Sequence, residues 1–96
     1  MVRKWKRVVL FLLLAAALAA CAVKPPVQEM AEARSAIEAA KQMHPAKPEA
    51  RRELKSAEQA LQQAADAIDH EQYQLARRKA LEAKRKAQRA AQLPNK

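Results

Sequence analysis

Few side chains in this chain have reactive chemistry. Cys21 is its only thiol, and a lone thiol cannot form an internal disulfide, which leaves modification of the sulfur or a free buried thiol. Ser35 and Ser56 fall on predicted helix surfaces with no base placed to activate them. His44 stands beside Pro45 and His70 at a predicted turn; a metal site would need the two joined by carboxylates across a helical bundle. With no glycine anywhere, the chain lacks the usual phosphate-cradling loop. The expectation is a non-enzyme without cofactor or metal.

The context of Cys21 is more specific. Residues 1–7 hold four positive charges and no negative one, and residues 8–20 are all apolar. A basic head followed by an apolar stretch and small residues is the order of an export signal. As a helix that apolar stretch spans about 20 Å against a hydrocarbon core of roughly 30 Å, so cleavage is the simpler expectation than a permanent span. Leu18-Ala19-Ala20-Cys21 resembles the lipobox of bacterial lipoproteins. The resemblance implies a diacylglycerol on the Cys21 sulfur, cleavage just before it and an often acylated new amine. Ala22, standing where an aspartate would usually retain such a protein in the inner membrane, implies the periplasmic leaflet of the outer membrane. One acyl chain gives only reversible attachment, whereas two or more hold firmly.

The division expected is therefore a signal peptide over residues 1–20, a lipidated cysteine and proline tether over 21–26, an alanine-rich helical domain over 27–92 and a tail over 93–96. Composition makes the domain all-α: threonine is absent as well as glycine, and good helix formers dominate. Pro25 and Pro26 resist helix and read as an extended spacer. Residues 27–43 repeat Met30, Ala33, Ile37 and Ala40 on one face. Pro45 and Pro48 then separate this helix from a second over residues 49–68, whose expected seam is Leu54, Ala57, Leu61, Ala64 and Ile68. A third over residues 70–92 carries Tyr73, Ala76, Ala80, Ala83, Ala87 and Ala90. The last two seams are out of phase, and Asp69 with Gln72 fits a capping box, so a break near Asp69 is expected. A helical hairpin or three-helix domain follows, with one kinked helix over residues 49–92 as the alternative, since no glycine marks the turn.

The core of such a domain is thin. Beyond Cys21 the larger apolar side chains number only about a dozen, so burial offsets only part of the ordering entropy and monomer stability is expected to be marginal. Self-association to a homo-oligomer is one way to supply the rest. The segments Met30-Ala-Glu-Ala-Arg-Ser-Ala-Ile37, Leu54-Lys-Ser-Ala-Glu-Gln-Ala-Leu61 and above all Tyr73-Gln-Leu-Ala-Arg-Arg-Lys-Ala-Leu-Glu-Ala83 resemble an uncharacterised family. Its members are small alanine-rich helical domains of proteobacterial envelope lipoproteins, some with an added peptidoglycan-binding domain of the OmpA type. The family often has glycine just before the tyrosine, where this chain has His70-Glu71, and it implies no known reaction.

Charge is unevenly distributed. Residues 72–96 hold eight basic side chains (Arg77, Arg78, Lys79, Lys84, Arg85, Lys86, Arg89 and Lys96) against Glu82, whereas residues 22–71 hold seven basic and nine acidic ones. One reading places the third helix on anionic envelope material such as phospholipid headgroups, lipopolysaccharide phosphates or peptidoglycan carboxylates, each cation adding about 1 kcal/mol near a lipid surface. The plainer reading is a solvated face neutralised by the acidic first half. Nucleic acid is not expected, because export removes it and only Tyr73 is available for base stacking. Two function classes remain beside plain scaffolding. One is an adaptor docking on an envelope machine. The other is a covalent tether, since lipoproteins resembling Braun's lipoprotein join a terminal lysine to the cell wall and this chain ends Leu93-Pro-Asn-Lys96.

Overall fold

The computed structural model describes residues 6–9 and 24–93. Residues 6–9 are helical and exposed. The domain consists of three helices, α1 (Val27–Gln42), α2 (Pro48–Asp69) and α3 (Tyr73–Gln92), and its fold is all-α.

Helix α1 begins abruptly. Pro26 is fully buried, its carbonyl accepts from the Met30 amide at 3.0 Å, and the Pro25 carbonyl accepts from Val27 at 2.8 Å. The last residue of the expected tether is thus part of the bundle, and the free arm is shorter than the proline pair implied. At the other end the backbone reverses through His44, whose φ of 49° is left-handed. The His44 amide closes on the Lys41 carbonyl at 3.0 Å, and Pro45, with no amide to offer, ends the helix. Pro48 then opens α2 at the one position where a missing amide costs nothing.

The reversal between α2 and α3 corrects the expected capping box. Asp69 belongs to the last turn of α2, α3 starts at Tyr73 instead of His70, and its N-cap Gln72 makes no side-chain capping bond. The reversal is built from backbone: the Gln72 amide donates to the Ala67 carbonyl at 2.8 Å and the Glu71 amide to the Ile68 carbonyl at 2.9 Å. These two bonds make a Schellman motif, which requires a left-handed residue at its second-last position. Glu71 takes that conformation with φ 58°, a cost glycine would avoid. The turn geometry thus survives without glycine, and α2 and α3 are separate helices.

Packing is organised in three layers, each taking one buried residue from every helix. Met30 meets Ala64 and Ala80, Ala33 meets Ala60 and Ala83, and Ile37 meets Ala57 and Ala87. Residue numbers rise together in α1 and α3 and fall in α2, so the helices run up, down, up. Helix α3 lies along α2 and also against α1, whereas α1 and α2 touch much less. The seams expected for α1 and α3 are buried throughout, apart from half-buried Tyr73. In α2 the expected seam is displaced: Ala57 and Ala64 are buried, but so are Ala50, Ala60 and Ala67, while Leu54, Leu61 and Ile68 flank the core half-exposed.

Replacing Glu71 by glycine should stabilise the fold by about 0.5–1 kcal/mol, after allowance for glycine's greater unfolded-state freedom; a denaturant midpoint that does not rise would contradict the strained-turn account. Ala83→Leu, which inserts three carbons where α1, α2 and α3 meet, should lower stability by about 1–3 kcal/mol, and thermal melting by circular dichroism would read the loss.

Candidate functional site

The basic helix is the feature most open to a functional reading, and its side chains divide into two groups. Five of its cations are engaged with acids. Arg77 reaches Glu29 at 3.6 Å and Lys84 reaches Glu32 at 3.0 Å, both across to α1. Arg89 reaches Glu53 of α2 at 3.7 Å. Lys79 and Lys86 both hold Glu82, at 3.3 and 3.2 Å along α3 itself. Lys86 also donates to the Ser56 hydroxyl of α2 at 2.6 Å. Helix α1 is tied to α2 by Lys41 and Glu58 at 3.0 Å.

Arg78 and Arg85 make up the second group, exposed and without an ion pair among the described residues. With Leu75, Lys79, Leu81 and Glu82 they surround a shallow depression of about 440 Å³ on the outer face of α3. Of the seven side chains expected to meet anions, these two arginines are the ones without an ion pair among the described residues. Leu18, Ala19, Ala20, Cys21 and Lys96 lie outside the described residues.

Local electrostatics follow from the pairing. Glu32 is held below its ordinary value of 4.5 chiefly by the hydrogen bond from Lys84, with Gln28 adding to it. Glu82 is lowered chiefly by the hydrogen bond from Lys86. Lys41 is raised above its ordinary 10.5 by its hydrogen bond and attraction to Glu58.

Serine and histidine positions are structural in setting. Ser56 accepts from Lys86, which also bridges Glu82. Ser35 is exposed on α1. The ring of His70 lies 2.8 Å from the Asp66 carbonyl at the end of α2, and His44 occupies the left-handed end of α1. Among the described residues no three His, Cys, Asp or Glu side chains are grouped to hold a metal ion, and no helix is long and apolar enough to cross a membrane.

Two features were not singled out from sequence. A groove of about 390 Å³ runs between α1 and α2, floored by Met30, Ile37, Leu61 and Ala65 and rimmed by Arg34, Glu38, Lys41, Glu58 and Gln62. It exists because α3 holds the other two helices apart. The second is the exposed trio Arg51, Arg52 and Lys55 at the start of α2. Its signal was visible as adjacent arginines followed by a lysine in the first turns of a helix, where positive charge opposes the helix dipole.

Residues 28–95 match the family model described as Domain of unknown function (DUF4398). The chain belongs to the DUF4398 family. Comparison with curated proteins and with solved structures yields no match. The match begins one residue inside α1 and takes in all of α2 and α3, so the three-helix bundle is the DUF4398 domain of this chain.

The lowered carboxylates make the bundle acid-sensitive. Glu32 and Glu82 favour ionisation more when folded than when unfolded, so their contribution is complete above pH 4.5 and is lost as pH falls through their lowered folded values. Lys41 acts in the opposite sense, its contribution fading only above pH 10.5. Melting temperature should therefore hold between these limits and drop on the acid side, and Lys84→Gln should flatten the part of that drop due to Glu32.

Proposed function

We propose that this chain is a lipid-anchored, periplasm-facing envelope protein. Its DUF4398 bundle acts as a non-catalytic structural or interaction module that presents cations to anionic envelope surfaces or partners. The observation that carries the reading is the Leu18-Ala19-Ala20-Cys21 sequence directly after a basic head and an apolar run. The position of the bundle supports it, since the fold starts at buried Pro26 and so stands only a few residues from the acceptor thiol. Acylation of Cys21 would hold the end of the bundle where α1 begins close to the bilayer, and the outer membrane is the compartment that Ala22 favours.

A second reading, the covalent tether through Lys96, draws support from the up-down-up topology. Helix α3 finishes at the end of the bundle opposite Pro26, so Gln92 lies far from the start of α1.

Intact mass of the protein extracted from envelopes with detergent, after lysozyme digestion of the wall, separates these readings. A species covering residues 21–96 plus acyl groups is the expected result, and Cys21→Ser should abolish both lipidation and cleavage. A cell-wall fragment on Lys96 would establish the tether. An uncleaved chain without lipid would overturn the anchored reading.

A further inference from the structure

The layer register places each charged residue along the bundle axis, and the two ends differ in balance. Where α1 begins and α2 turns into α3, the exposed acids Asp66, Asp69 and Glu71 stand among the exposed cations Lys24, Arg77 and Arg78. At the opposite end, where α2 begins and α3 finishes, stand Lys47, Arg51, Arg52 and Lys55. None of these four cations has an ion pair among the described residues. Of the acids nearby, Glu53 is occupied by Arg89 and Glu58 by Lys41, which leaves Glu49.

This arrangement works against the helix that carries it. Lys47, Arg51 and Lys55 follow at four-residue spacing, so like charges share one face and repel. They also crowd the N-terminal turns of α2, the positive end of its dipole. On α3, by contrast, five of seven cations are engaged with acids. Four unpaired, mutually repelling cations gathered at one end, a denser group than Arg78 and Arg85 on α3, form a surface prepared for an anion supplied from outside.

We infer that this end of the bundle binds a carboxylate-bearing polymer, the peptide-crosslinked glycan of the cell wall, through Arg51, Arg52 and Lys55. The inference rests on the lipid-anchored reading for the choice of polymer. In that arrangement Pro26 and the end of mixed charge face the bilayer. The cationic end lies a helix length away, about 30 Å, on the side of the wall. Arginine forks suit carboxylates presented at intervals along a flexible chain, because each pairs in a planar, two-bond geometry.

The test is co-sedimentation of the full chain, held in neutral detergent, with purified cell-wall sacculi. Wild type and Gln74→Glu, which adds a negative charge at an exposed site away from the cluster, should pellet alike, and binding should weaken with salt. The triple variant Arg51→Glu, Arg52→Glu, Lys55→Glu should lose about tenfold or more of its binding, since a charge-steered contact depends on the sign of the surface. Circular dichroism checks that the triple variant stays helical; if it does not, the corresponding triple glutamine variant should show the same loss. Equal pelleting of wild type and a folded triple variant would overturn the proposal, as would failure of wild type to bind sacculi or its preference for vesicles of anionic phospholipid. Because sacculi are presented in solution, a mass showing no lipid would defeat the anchored reading without altering this result.

Discussion

Close approach of three helices across alanine is the constraint on which everything else in this bundle rests. A methyl group projects little beyond the backbone, so layers such as Ala33, Ala60 and Ala83 form only if the axes come near one another; helix separation follows the size of the contacting side chains. Near approach in turn brings the flanks of the helices within reach of long polar side chains. Glu29, Glu32 and Glu53 can meet cations of α3 because small residues lie between them. Met30 and Ile37 supply the only larger buried side chains of the layers, and both come from α1, which completes a core that α2 and α3 build from alanine alone.

Helix α3 is the common partner in this scheme, both for packing and for charge. Individually the ion pairs are exposed, and such pairs contribute about 0–1 kcal/mol each. Their greater effect is on arrangement. Alanine seams look alike at every turn and would tolerate a shift by one helical turn, whereas Glu29 with Arg77, Glu32 with Lys84 and Glu53 with Arg89 fit one register. Three of the seven cations of α3 are thus the complement of acids that lie earlier in the chain. The same accounting leaves Arg51, Arg52 and Lys55, like Arg78 and Arg85, without an acidic complement among the described residues.

Much of the architecture was legible in the sequence because alanine, glutamate and lysine leave few alternatives to helix and because prolines mark one junction. The faces of α1 and α3 were readable from spacing alone. Helix α2 was misjudged for a physical reason: the seam was drawn through its largest apolar residues, Leu54, Leu61 and Ile68, but in a core this tight the centre belongs to the smallest residues and the larger ones fill the flanks. Likewise Asp69 and Gln72 have the composition of a cap, yet backbone hydrogen bonds close the turn and the capping side chains are not used. The identity of the free cations was not legible, since the pairings of Arg77, Lys84 and Arg89 join residues far apart in the chain and depend on which helices become neighbours. For Cys21 the order is reversed, its significance residing wholly in the residues beside it.

The up-down-up course of the chain has a mechanical consequence. Val27 and Gln92 sit at opposite ends of the bundle, on parallel helices that lie side by side. A pull between those two points slides α1 along α3, so the methyl layers and the Glu29 and Glu32 bridges must yield together instead of being peeled open one after another. Resistance to such a load is governed by the unfolding rate more than by equilibrium stability. A small bundle with a slender core can therefore transmit force along its axis out of proportion to its free energy of folding.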